Sequence, residues 1–195
     1  GLEQMKWSDP SVDQVTYDVT IPFIRMLAGP MDYTQGAMRN ATKKNYKPIR
    51  TEPMSQGTRC RQLAEYVVFE SPLNMMCDSP TNYMAEQECT DFIAAIPTVW
   101  DETVALDGKV AEYVVMARRK GCTWYVGAMA GWDGREMEID LGFLPEGCPG
   151  SAEKICRTAI VKTMERYHGT TKGAGAPYLC LFAMDLLRVH GFFNK

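Results

Sequence analysis

Histidine is scarce in this sequence, and no two cysteines stand in a CxxC pair. Its 195 residues hold two histidines, His168 and His190, and seven cysteines at 60, 77, 89, 122, 148, 156 and 180. That set argues against a structural zinc site, and no cysteine has the neighbouring base that a nucleophile needs. The odd count reads as buried or free thiols, not a disulfide framework. Excess basic charge is also missing. The formal net charge is −3, with acids and bases interspersed, so no basic face points to nucleic acid. Charges break every apolar run well short of the ~18 residues of a membrane-spanning helix. What remains is a globular composition, 46% hydrophobic and 23% charged, long enough for one ordinary domain or two small ones. The first residue is Gly1 rather than Met, and the opening third reads as the closing units of a larger α/β domain. The expectation is therefore the tail of an enzyme, with much of its chemistry and any leader upstream.

Asp13 to Leu27 carries Val15, Val19, Phe23, Met26 and Leu27 at helical spacing, with Pro22 kinking or breaking it and Ala28-Gly29-Pro30 stopping it. Met31–Tyr33 reads as a short buried strand, followed by a long polar loop from Thr34 to Gly57. Thr58–Met76 reads as an amphipathic helix through Leu63, Val67, Phe69, Leu73 and Met76, although Pro72 falls inside it. Asp78–Thr81 reads as a turn and Ala85–Ile96 as another helix, ended by Pro97.

From Thr98 the pattern changes. TVWDETVALDGKV, AEYVVMARRKG, CTWYVGAMAG and REMEIDLGFL alternate, are rich in β-branched and aromatic residues, and are separated by Asp-Gly and Lys-Gly turns. Strands at this spacing predict an antiparallel β-sandwich, with the domain boundary near Pro97. After Gly147 the alternation disappears into helix-like pieces and a GAGAP linker.

GLEQMKW, TIPFIRMLAGPMDYTQGAM, YVVFESPLNMMCDSPTNY, ECTDFIAAIPTVWDET and DGKVAEYVVMARRKG…WYVGAM together resemble glycoside hydrolase family 97 over about 1–144. The resemblance implies an α/β plus all-β architecture. Residues 1–97 would be the last units of a (β/α)8 catalytic barrel, and 98–147 a C-terminal antiparallel β-sandwich of the oligomerisation type, both incomplete. Residues 148–195 would be a divergent tail, either genuine or translated out of frame. The family cleaves terminal α-glycosides, so the resemblance implies an α-glucosidase, or alternatively a retaining α-galactosidase. The substrate would be an α-linked oligosaccharide, in a bacterial periplasmic or extracellular setting, with calcium bound by upstream carboxylates. A non-catalytic sandwich module, used for homo-oligomer contacts or sugar binding, is the other reading.

Gly1-Leu2-Glu3 matches the end of a family motif, which implies that Glu3 is the catalytic acid. Such an acid must keep its proton until the glycosidic oxygen departs. Its partner, a glutamate base in inverting members or an aspartate nucleophile in retaining ones, would lie upstream. Asp32 and Tyr33 sit where a late barrel strand would end, so they could line the sugar pocket; Asp32 could equally cap the loop after it. Arg39, Asn40 and Tyr46 on that loop could donate to sugar hydroxyls or form a solvated lid. Glu70 and Asp78 read better as a helix ion pair and a turn cap than as a carboxylate pair. Trp100 and Trp124 read as core, Trp132 as an exposed turn residue, and Arg118-Arg119-Lys120 as a solvated hairpin end or guarded edge.

Overall fold

The computed structural model describes residues 11–49, 51–121, 123–133, 143 and the backbone of 182–184. The helical run after Asp13 is divided in three. Helix α1 spans Gln14–Asp18 under an Asp13 cap, whose carboxylate accepts from Thr16 N–H at 3.0 Å. Helix α2 spans Ile21–Ile24 with Pro22 in its first turn, where a missing N–H costs nothing, and a 3₁₀ turn covers Met26–Ala28. Pro22 thus opens a new helix instead of kinking an old one.

Strand β1 is Tyr33–Gln35. The stretch expected to be a loop carries two short strands, β2 (Asn40–Ala41) and β3 (Ser55–Gln56), paired in parallel. Helix α3, Arg59–Val68, starts at the Thr58 cap and ends when Phe69 turns extended. The expected continuation to Met76 does not form. Pro72 cannot continue a helix, and Asn74–Met76 become strand β4, parallel to β1 with Tyr33 opposite Asn74 and Gln35 opposite Met76. The unit β1–α3–β4 is therefore a parallel crossover. Where a turn was expected after Asp78, Ser79 caps helix α4 (Pro80–Ala85), and α5 (Gln87–Ala95) follows.

The C-terminal part is an antiparallel sheet in the order β5 (Glu102–Lys109), β6 (Tyr113–Lys120), β7 (Thr123–Ala130), β8 (Phe182–Met184). The Lys120-Gly121 turn is present, with Gly121 at φ +58°. The Asp107-Gly108 turn is not. That pair lies within β5 beside a register shift, and the chain reverses around Ala111, at φ 64°. Strand β8 comes from the tail that the sequence reads as helical pieces. The fourth expected strand, REMEIDLGFL, lies outside the described residues except for Phe143.

One face of the sheet packs on α3: Val114, Met116, Tyr125 and Met129 share a core with Leu63, Ala64, Val67 and Val68. Gly127 allows the close approach, since a Cβ there would lie 2.9 Å from Val68 and 3.1 Å from the Ala64 carbonyl. The opposite face gathers Val115, Ala117, Trp124, Val126 and Ala128, with Phe143 against Trp124. Alternation also places Arg118 on the α3 side, correcting its reading as a solvated residue. It is 1% exposed, donates from Nη2 to the Val68 carbonyl at 3.0 Å and lies 5.9 Å from the centre of the Trp100 ring. Burial lowers its pKa to about 10, with Glu70 opposing. Arg119 and Lys120 do reach the surface, paired with Glu102 and Asp101. No helix among the described residues is long and apolar enough to cross a membrane.

Candidate active site

Ligands of parallel α/β units collect at the carboxyl ends of the strands. Here β1 and β4 end side by side at Gln35 and Met76, and several backbone groups at and beyond those ends are engaged. The Gln35 carbonyl accepts from Cys77 N–H at 3.1 Å and from the Tyr66 hydroxyl at 3.0 Å. The Gly36 carbonyl accepts from the Tyr83 hydroxyl at 2.9 Å. Gln62 Oε1 accepts from the N–H groups of Gly36 and Ala37 at 2.9 and 3.3 Å. Gly36 sits at φ +94°, with the Tyr66 hydroxyl where a Cβ would be. Asp78 ties the two strand ends together, accepting from Met38 N–H at 2.7 Å through Oδ2 and from Ser79 N–H and Asn82 Nδ2 through Oδ1. Asp78 thus precedes a helix whose cap is Ser79, instead of capping the expected turn, and its second oxygen reaches across the crossover to Met38.

Beside this ledge lies a cavity of about 270 Å³, lined by Met38, Arg39, Asn40, Arg59, Asn82 and Glu86. Arg59 spans it, donating to the Met38 carbonyl at 2.7 Å and pairing with Glu86 at 2.9 Å. Sequence reasoning found Arg39 and Asn40. It missed Arg59 and Asn82, which lie on helices, and Glu86, which joins α4 to α5; none of them gives a local polar-cluster signal.

Under the ledge is a buried charge cluster. Arg61, 3% exposed, pairs with Asp18 at 2.7 Å and with Glu65 at 3.0 Å. Gln62 Nε2 donates to the same Glu65 oxygen. Burial by itself would lower the Arg61 pKa, but Asp18 and Glu65 hold it above its ordinary value. Gln14 and Tyr33 complete the cluster, the Tyr33 hydroxyl donating to Asp18 and accepting from Gln14 Nε2 at 2.8 Å.

The sequence-predicted residues do not converge. Glu3 lies outside the described residues. Asp32 and Tyr33 stand at the amino end of β1, not at the carboxyl end that a sugar-pocket role assumes. Tyr33 is 1% exposed and its ring packs on Phe69 at 4.5 Å, so neither its face nor its hydroxyl is open to a sugar; Asp32 is exposed. Glu70 lies past the end of α3, its carbonyl accepting from Met31 N–H. Trp132 is half-buried, donating from Nε1 to Asp13 Oδ1 at 2.8 Å. Among the described residues, no three histidine, cysteine or carboxylate side chains come together to hold a metal ion, so these residues do not fit a calcium site.

Residues 99–172 match the family model of the glycosyl-hydrolase 97 C-terminal, oligomerisation domain. Over 144 residues, 74% of the chain, the sequence is 71% identical to a retaining alpha-galactosidase of Bacteroides thetaiotaomicron, of which it covers 22%. It is 27% identical over 140 residues, 72% of the chain, to a probable retaining alpha-galactosidase of Streptomyces bingchenggensis, covering 20% of that protein. A glycoside hydrolase family 97 enzyme from Pseudoalteromonas sp. strain K8, solved in complex with panose, superposes with a TM-score of 0.58 at 38% identity, over 68% of this chain and 20% of that one. The chain thus spans about a fifth of the length of the relatives it matches. By these matches and by its antiparallel C-terminal sheet, the chain belongs to glycoside hydrolase family 97.

Proposed function

We propose that the whole protein is an exo-acting glycosidase that removes terminal α-linked galactose with retention of configuration. The observation that carries this is the 71% identity to a retaining alpha-galactosidase over three quarters of the chain. It moves the first expectation, a terminal α-glucose, to second place; the 38% identical enzyme bound to panose is what keeps that reading alive. In this reading β1 and β4 are neighbouring strands of a (β/α)8 barrel. Support comes from β4, where Met75 and Met76 are each 42% exposed, although parallel strands are normally covered on both faces. The C-terminal sheet would carry self-association, as the description of its family model says for that domain.

Glu3 is the proposed proton donor. A carboxylate elsewhere in the whole protein attacks the anomeric carbon while Glu3 protonates the departing oxygen, giving a covalent galactosyl–enzyme. Glu3, now a carboxylate, then takes a proton from the water that releases α-galactose. Calcium and a periplasmic or extracellular location belong to the proposal through the family resemblance, and no step here uses the ion.

The test uses the whole protein. Turnover of p-nitrophenyl α-galactoside should exceed that of p-nitrophenyl α-glucoside, and proton NMR should show α-galactose as the first product. Glu3→Gln should lower kcat/KM on methyl α-galactoside by roughly 10²–10⁴-fold. An unchanged rate would remove Glu3 from the mechanism, and a β-configured first product would remove retention.

A further inference from the structure

We infer that the cavity beside the ledge holds one neutral sugar ring, the one to which the terminal galactose is joined; this rests on the reading of the whole protein as an α-galactosidase with β1 and β4 in its barrel. The cavity lies on the carboxyl-end side, but its wall begins at Met38 and Asn82, past the strand ends at Gln35 and Met76. An exo-acting enzyme keeps the terminal ring innermost. A site built from the segments that follow the strands receives the next ring out.

Volume decides the size of the occupant. About 270 Å³ falls just under the roughly 300–1,000 Å³ of pockets that enclose drug-sized ligands, so one ring fits and a longer chain does not. Charge decides its kind. Both cations in the wall already have a carboxylate: Arg59 meets Glu86 at 2.9 Å, and Arg39 meets Glu52 at 3.7 Å. An anion would have to displace one of these carboxylates, and a cation would have to displace an arginine. A neutral polyol leaves both pairs intact.

Hydrogen bonding decides the class. Arg59 uses one of its five N–H groups on the Met38 carbonyl at 2.7 Å and one on Glu86 Oε2. Asn82 Nδ2 donates to Asp78 at 2.6 Å, which fixes the amide and leaves Asn82 Oδ1 as an acceptor with no donor among the described residues. Glu86 Oε1 is a second such acceptor. On the facing side Asn40 is held by the Ala37 carbonyl at 3.0 Å and the Ser55 hydroxyl at 2.9 Å, so the wall is set before a ligand arrives. Unused guanidinium donors beside unused acceptors match a pair of vicinal hydroxyls, each of which gives and takes a hydrogen bond.

The experiment gives the whole protein two substrates, melibiose (galactose α-linked to glucose) and methyl α-galactoside. Both leave as alcohols, so a change in the ratio of their kcat/KM values reports contacts to the glucose ring. Asn82→Ala removes an open acceptor and should lower the ratio of melibiose to methyl α-galactoside about 2- to 10-fold. Ala85→Trp fills the cavity from an exposed position that makes no side-chain hydrogen bond, and should lower the ratio about 10-fold or more. An unchanged ratio in Ala85→Trp would overturn the inference, because a filled cavity cannot admit a ring. If the unmutated protein turns over both substrates and the variants keep its ratio, the inference alone fails. If it turns over neither, the galactosidase reading fails and this inference with it.

Discussion

Gly127 faces Val68 where the C-terminal sheet lies against helix α3. A Cβ on Gly127 would lie 2.9 Å from Val68 Cγ2, 3.0 Å from Val67 Cβ and 3.1 Å from the Ala64 carbonyl oxygen. The carbonyl is part of the helix backbone and has no rotamer to escape into. Gly127→Ala must therefore lift the helix off the sheet, and the expected loss of unfolding free energy is about 1–3 kcal/mol. Urea unfolding measures it. A variant as stable as the parent would mean that the layers are not packed as tightly as described.

Arg61 is the only cation in contact with both Asp18 and Glu65 among the described ion pairs, and all three are buried. Arg61→Met fits the space but leaves two carboxylates in the interior. The expected cost is about 3–5 kcal/mol, read as a fall in melting temperature. Adding Asp18→Asn and Glu65→Gln to Arg61→Met should recover much of that loss. If the triple variant is no better than the single one, the loss comes from packing and not from charge.

Three tyrosine hydroxyls hold the crossover together: Tyr33 on Asp18, Tyr66 on the Gln35 carbonyl and Tyr83 on the Gly36 carbonyl. Burial first, then nearby negative charge, raises the pKa of each above the ordinary 10.0. A raised folded pKa favours the protonated form in the native state. Their contribution is thus complete below pH 10 and is lost as pH climbs above it. Cys89, pushed up by burial from 9.0 to about 11, acts with the same sign and starts slightly earlier. Alkaline titration should show phenolate absorbance and loss of the helical dichroism signal rising together. With nine tyrosines in the chain, partial phenolate absorbance precedes that step; only phenolate formation by all of them while the dichroism stays intact would show that these hydroxyls are open to solvent.

Much of the architecture was legible in the sequence. The switch from helical to alternating patterning near Pro97 separates the crossover unit from the sheet, and AEYVVMARRKG and CTWYVGAMAG form a hairpin around Lys120-Gly121. The errors have physical causes. Leu73 and Met76 keep helical spacing after Val67 and Phe69, so Asn74–Met76 look like more helix, but β4 is set by pairing with β1, which periodicity cannot report. Asp107-Gly108 looks like a hairpin turn, yet a bulge between Ala105 and Asp107 absorbs it within β5. Arg118 in a basic tripeptide looks solvated, but strand alternation turns it inward while Arg119 faces out.

The site was less legible than the fold. Asp32 and Tyr33 were placed from the expectation of a strand that ends with them, but that strand begins with Tyr33. The carboxyl-end ledge is made of backbone groups and of Gln62, Tyr66 and Asp78, which meet only through the crossover. Arg61 and Glu65 stand four apart, a spacing that marks a helix ion pair, but nothing local says that Asp18 lies across from them.

The bond between Asp13 and Trp132 also has a consequence for synthesis. At about 5–20 residues per second, the 119 positions between them separate their emergence from the ribosome by roughly ten seconds. Until Trp132 emerges the start of α1 lacks its indole bond, and until Gly127 and its neighbours emerge α3 lacks the sheet that packs on it. The side of α3 formed by Leu63, Val67 and Val68 therefore waits for its cover until the sheet has been made.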